Sequence, residues 1–312
     1  MLPMTSSATR GVIRFGPAGW DYPDWAGKVY PAPKPKGFDP LPYLAAYFDT
    51  VEINSTFYRP AAPNAAKKWA DRVRDRDLFR FTAKLWKRFT HERGTAWTSE
   101  EVDLVRAGLD PLAEAGKLGA LLLQFPWSFR NKEENREWLR DLAKAFRHYP
   151  LVVEVRHISF NEPEFYAELA ASRIGIVNLD QPMFRNSLPP SARATSSTGY
   201  IRVHGRNYKD WFRKTAGRDE RYDYLYSATE LKPWAERTKA LAEEPNVTDV
   251  YVVNNNHFAG QAVTNALMLE AQVTGERVKA PKTLVEAYPK ELSRIAVLDE
   301  GAEAGSQPRL PL

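Results

Sequence analysis

The chain has no cysteine among its 312 residues. Disulfides, thiolate-bound zinc and a cysteine nucleophile are therefore excluded, and the composition suits a reducing compartment. Apolar runs are strand-sized, too short to span a bilayer as a helix, and residues 1–10 hold no apolar signal core; a soluble, cytoplasmic protein without a membrane partner is expected. The Walker Gly-x-x-x-x-Gly-Lys loop, the Gly-x-Gly-x-x-Gly loop, the Gly-x-Ser-x-Gly elbow and the His-Glu-x-x-His spacing are all missing. Charge of one sign is scarce too: 44 Lys and Arg face 39 Asp and Glu, a net charge of +5. That mild excess favours an anionic partner but falls short of the basicity usual in a free nucleic-acid domain.

What is there is a rhythm. Eight times a short run rich in β-branched or aromatic residues leads into a loop or a helical pattern: Val12–Gly16, Val51–Asn54, Phe79–Lys84, Leu121–Gln124, Val152–Arg156, Ile174–Asp180, Tyr200–His204 and Val250–Asn254. All but the first end in a polar residue. Helical periodicity covers Leu41–Phe48, Ala65–Arg76, Ser99–Ala115, Lys132–His148, Pro163–Ser172, Ala228–Glu243 and Gln261–Gln272. The alternation predicts an α/β fold, a single (β/α)8 TIM-type barrel over residues 11–300 with flexible tails at 1–10 and 301–312. Asn161 with Glu164 suggests a capping box, and Ser99 half of another. One connection breaks the pattern: Gln181–Gly199 is rich in Pro, Ser and Arg, so the barrel is irregular after strand six and this loop is expected near the mouth.

Several ordered blocks carry a resemblance. They are Gly16-Pro17-Ala18-Gly19-Trp20-Asp21-Tyr22-Pro23-Asp24-Trp25, Val51-Glu52-Ile53-Asn54-Ser55-Thr56-Phe57-Tyr58, Thr90-His91, Leu122-Leu123-Gln124-Phe125-Pro126, Val153-Glu154-Val155-Arg156-His157, Tyr200-Ile201-Arg202-Val203-His204-Gly205-Arg206, and Asn254-Asn255 with Gly260 and Asn265-Ala266. Together they resemble the YecE-like family, a bacterial and archaeal domain of unknown function. The resemblance implies a TIM-type barrel and supplies no activity. Pro17-Ala18 departs from the small hydroxylated residues more often found there.

Side chains alternate across a strand, so Glu52 and Asn54, Thr82 and Lys84, Glu154 and Arg156, Asn178 and Asp180, and Arg202 and His204 each share a face. Their neighbours of opposite parity are mostly apolar. The polar set is therefore expected around the barrel axis, with Gln124 and Asn254 adding amides. A self-satisfied ion network is one reading, and a divalent metal held by the carboxylates and His204 is another, which Lys84, Arg156 and Arg202 would oppose. The favoured reading is an anion pocket without a cofactor. In it Arg156, Arg202 and Lys84 hold the anion, Glu154 and His204 transfer protons from a poise near neutrality, and Glu52, Asn54, Gln124, Asp180 and Asn254 orient. Tyr58, Arg206 and Asn255 complete the expected ligand contacts.

Six of the nine tryptophans fall in inferred loops, and rim aromatics neighbour cations, as in Trp86-Lys87-Arg88 and Tyr208-Lys209. Trp20, Trp86, Trp127 and Trp211 are accordingly expected at the mouth, where they could stack on a ring. The whole reads as an enzyme, a hydrolase or an isomerase or lyase, acting on a phosphorylated sugar, nucleotide or nucleic-acid end. The competing expectations are a non-catalytic nucleic-acid-binding protein and a metal-dependent phosphodiester hydrolase.

Overall fold

All eight expected strands form in the computed structural model, which describes residues 11–298 apart from 212, 214 and 216. The tails expected at 1–10 and 301–312 lie outside the described residues. The strands are β1 (Val12–Pro17), β2 (Thr50–Ile53), β3 (Arg80–Lys84), β4 (Leu118–Gln124), β5 (Leu151–Glu154), β6 (Gly175–Asp180), β7 (Thr198–Val203) and β8 (Asp249–Asn254). All pair in parallel, in the order β1-β8-β7-β6-β5-β4-β3-β2. The ring closes where Ala18 bridges Glu52 and the Gly19 amide donates to the Glu52 carbonyl at 2.8 Å. Gly16 permits that closure, because a Cβ there would sit 1.8 Å from the Thr50 carbonyl oxygen.

The outer layer holds α1 (Pro40–Leu44), α2 (Pro63–Arg72), α3 (Ser99–Glu114), α4 (Glu133–Ala145), α5 (Pro163–Ala171), α6 (Ala228–Glu243) and α7 (Gln261–Thr274). The caps differ from expectation. Thr98, one residue before Ser99, caps α3, and its box is completed by Glu101 Oε2 accepting from the Thr98 amide at 2.9 Å. Glu162, not Asn161, precedes α5, which starts on Pro163 without a side-chain cap. No helix among the described residues is long and apolar enough to cross a membrane. Beyond α7, β9 (Val278–Ala280) and β10 (Ala296–Leu298) form a two-stranded parallel sheet, too short to leave a pattern in the sequence.

Parity decides which side chains reach the axis. Val51, Ile53, Phe81, Val153, Val155, Ile201 and Val203 pack outward against the helices, as expected. The barrel interior is filled by Ala18, Ala120, Leu122, Val152, Val177, Leu179, Tyr200, Tyr251 and Val253. On β6 the expectation is reversed: Val177 and Leu179 point in, so Asn178 and Asp180 point out. The cause lies in the missing helix. Residues 188–197 return along the outer face of β6, and their backbone needs polar partners that a helix would not require. Asn178 Oδ1 accepts from Ser191 Oγ at 2.6 Å and from the Arg193 amide at 2.8 Å, and the Ile176 amide donates to Thr195 Oγ1 at 2.8 Å.

Candidate functional site

One guanidinium organises the C-terminal end of the barrel. Arg202, fully buried on β7, donates through Nη2 to Glu52 Oε1 on β2 at 2.6 Å and through Nη1 to Glu154 Oε2 on β5 at 2.5 Å. Glu52 Oε2 in turn accepts from the Tyr200 hydroxyl at 3.0 Å, which also meets Thr82 Oγ1 at 2.8 Å. Glu154 Oε1 accepts from Arg156 Nε and Nη2 at 2.9 and 2.7 Å. Burial alone would raise the Glu154 pKa, but Arg202, Arg156 and His204 overcome it and hold the carboxyl well below the usual range.

His204 lies in the same shell and is fully buried. The Asn255 side-chain amide lies 3.1 Å from Nδ1 and donates to it, which leaves the imidazole proton on Nε2, 3.4 Å from Glu154 Oε1. Burial first, then Arg202 and Arg156, push its pKa down to about 3 against the pull of Glu154. The expected poise of Glu154 and His204 near neutrality is thus not found: one is a fixed anion and the other a neutral imidazole.

That poise belongs to Lys84. At the end of β3 its pKa is pushed down to about 7, chiefly by burial and then by Arg202, with Arg156 adding and Glu52 and Glu154 opposing. Its ammonium lies 4.2 Å from the centre of the Phe57 ring and has no carboxylate within ion-pair distance among the described residues. Arg156 likewise keeps one amino group without a protein partner among them, while its guanidinium carbon stands 5.6 Å from the centre of the Trp211 ring. Gln124 follows Leu122 on the inward parity, and its backbone is level with that of Glu154. Asn54 donates to the Tyr22 hydroxyl at 3.3 Å and leaves Oδ1 buried without a partner among the described residues.

Other expected contacts lie elsewhere. Asp180 points into the helix layer, where both carboxylate oxygens accept from Arg206 Nε at 3.0–3.1 Å. Arg206 covers the Tyr226 ring and approaches Glu230 of α6, so this pair is a clamp outside the barrel. Asn254 has the parity of the outward Val250 and Val252; it is buried, and neither of its side-chain polar atoms has a partner among the described residues. Trp20 packs edge-on against Trp69 of α2, centroids 5.6 Å apart, and against Phe81; Trp86 packs on Phe89. Both rings are half-buried in these contacts. Tyr58 is exposed and touches Phe57.

Trp211 meets the expectation in position, 6.1 Å from the His204 ring, but is 8% exposed and closes over the site more than it rims it. Trp127 neighbours His157 and Phe184, and Phe184 neighbours Tyr208, so aromatics from the loops after β4, β6 and β7 form one side of the mouth. The loop after β6 is tied there: the Leu188 amide donates to the Arg156 carbonyl at 2.8 Å, and the Met183 amide donates to the Tyr208 hydroxyl at 3.1 Å. Tyr200 and Phe57 were missed from sequence, although Tyr200 shares the parity of Arg202 and Phe57 precedes Tyr58. Among the described residues no three His, Asp or Glu side chains converge as a metal site; Arg202 stands between the two carboxylates.

Fold and charges together define an α/β barrel protein with an ionic site at the carboxyl ends of its strands, the face on which barrel enzymes carry their chemistry. The chain belongs to the family described as "Protein of unknown function DUF72", whose pattern matches residues 14–290. It is 31% identical over 269 residues to UPF0759 protein YunF of Bacillus subtilis, covering 81% of this chain and 92% of that one. UPF0759 protein YecE of Escherichia coli K12 is 28% identical over about half of each chain, 50% and 51%. A DUF72 family crystal structure from Thermotoga maritima superposes with a TM-score of 0.71 at 32% identity, covering 84% of this chain and 99% of that one. Another from Enterococcus faecalis gives 0.72 at 24% identity, over 84% and 96%, and shows the same fold. The resemblance to the YecE-like family is thereby confirmed.

Proposed function

We propose that this barrel is an enzyme that moves a proton on a small anionic substrate, bound at the C-terminal mouth. The observation that carries the reading is an asymmetry among the cations. Arg202 is consumed by Glu52 and Glu154, whereas the Lys84 ammonium and one amino group of Arg156 have no carboxylate among the described residues. Protein charges of one sign left together without partners suit a ligand of the other sign. Arg156 supplies a directional donor for a phosphate or carboxylate. Lys84, near neutrality, can give or take a proton at working pH. Tyr200, Thr82, Glu52 and Arg202 hold the frame, and His204 acts as a neutral hydrogen-bonding group. Trp127, Phe184, Tyr208 and Trp211 give the mouth an apolar wall that suits a ring-bearing ligand.

A thermal-shift comparison with inorganic phosphate, a sugar phosphate and a nucleoside monophosphate tests this, because a ligand of the folded state raises the melting temperature. Stabilisation of the wild type by at least one of them, lost in Lys84→Met and in Arg156→Gln, is the expected result. Equal responses of wild type and both variants would remove the anion site from this mouth.

A further inference from the structure

We infer that Lys84 is a nucleophile and that the substrate is a small carbonyl compound bearing a phosphate or carboxylate, which condenses with the Lys84 amine as an iminium. The inference rests on the anion-site reading and narrows it. Its ground is the surroundings of this one amine. Lys84 ends β3 within the electrostatic reach of Arg202, whose position is fixed by two carboxylates, and its ammonium stands over the ring of Phe57. The charged groups that bear on it are Arg202 from β7, Glu52 from β2, Glu154 from β5 with Arg156 just beyond it, and His91 from the loop after β3, which is itself pushed down to about 4 by burial and then by Lys84. A lysine kept only to hold an anion gains from a permanent charge and from water around it. This one is given an aromatic neighbour and two guanidinium groups, surroundings that favour the free amine, the form able to attack carbon.

The chemistry balances without a co-reactant. The neutral Nζ adds to the carbonyl carbon, and one proton passes from nitrogen to the former carbonyl oxygen. A second proton, from solvent at the mouth, makes that oxygen water, which leaves as the C=N bond forms. The iminium carries a full positive charge where the ammonium stood. Glu52 and Glu154, which favour a cation at this spot, therefore compensate it, while Arg156 remains available for the anionic group. The electron demand of the iminium makes a proton on the adjacent carbon acidic, which joins this step to the proton transfer proposed above.

The test is reductive trapping. Full-length protein is incubated near pH 7 with dihydroxyacetone phosphate or with pyridoxal 5′-phosphate, treated with borohydride, digested, and mapped by mass spectrometry. Lys84 should carry the reduced adduct at roughly tenfold or greater yield than any surface lysine, given its larger fraction of free amine. Modification should disappear in Lys84→Arg, which keeps charge and length, as well as in Lys84→Met. Labelling no greater at Lys84 than at surface lysines overturns the nucleophile. If that happens while phosphate still stabilises the wild type and not Lys84→Met, the covalent step falls and the anion site stands; if phosphate stabilisation is also absent, both fall.

Discussion

Arg202 Nη2 and Glu52 Oε1 meet at 2.6 Å across the barrel, joining β7 to β2 from positions 150 residues apart. Both side chains are fully buried. A fixed charge in that setting is tolerated only because each hydrogen bond is made, and removing one partner leaves the other charge uncompensated. This bond, with its counterpart to Glu154, makes the two carboxylates part of the architecture and turns the remaining cations toward the mouth.

Glu52→Gln should destabilise the fold by about 3–5 kcal/mol, since Arg202 loses a buried counter-charge and Tyr200 an acceptor. Arg202→Met alone should also be costly, because it leaves Glu52 and Glu154 together without the cation between them. The double variant Glu52→Gln with Arg202→Met should cost less than the sum of the singles. Chemical denaturation of the three variants reads the coupling; strictly additive losses would mean the pair does not act as a unit.

Lys84 gives a pH dependence whose sign is fixed. Its pKa lies near 7 in the folded chain and at 10.5 ordinarily. Between those values the unfolded chain binds more protons, so this group's contribution to stability rises with pH and is least favourable below 7. Lys84→Met removes the contribution. The variant should therefore be more stable than wild type at about pH 6, with the gap closing as pH rises toward 10. Melting temperatures of both proteins across that range check it, and a gap that widens with pH would contradict the depressed amine.

His204 should stay neutral through the physiological range, its pKa being about 3. In the unfolded chain an ordinary imidazole takes its proton near 6.5. Stability linked to His204 is consequently present above 6.5 and lost as pH falls from there toward 3. NMR of the His204 ring in the native protein should show no titration between about pH 5 and 8, and His204→Gln should flatten the acid limb of the stability curve.

The barrel was legible because strand and helix periods alternate eight times, and the inward polar face was legible on β2, β3, β5 and β7, where charged and aliphatic residues alternate sharply. On β6 the same rule misled. Val177 and Leu179 fill the axis as well as they would pack under a helix, and only the absence of that helix assigns Asn178 and Asp180 to the outside. The partners of Trp20 were not legible for a backbone reason: Gly19, at φ 85°, ends the extended path of β1, and the next side chain packs on Trp69 and Phe81. The poise of Lys84 could not be read from order along the chain, since it follows from burial and from a guanidinium 118 positions away, the separation of Lys84 from Arg202.

The Asp180–Arg206 clamp separates architecture from the site, and its two halves are unequal. Asp180 is nearly completely buried, while Arg206 is 29% exposed and also near Glu230. Burial raises the Asp180 pKa despite the bonds from Arg206, Tyr226 and Trp234. Asp180→Asn leaves a cation that water and Glu230 can serve, and should cost no more than about 1–2 kcal/mol. Arg206→Met strands a buried carboxylate and should cost more, about 2–4 kcal/mol near neutral pH. That deficit should shrink in acid, because protonating a carboxyl whose folded pKa is raised relieves the buried charge. Neither change touches Lys84 or Arg156, so the stabilisation by phosphate compounds should survive in both. Denaturation at two pH values, with the same ligand panel, measures all of this; loss of the ligand response in Arg206→Met at full folding would return Arg206 to the anion site.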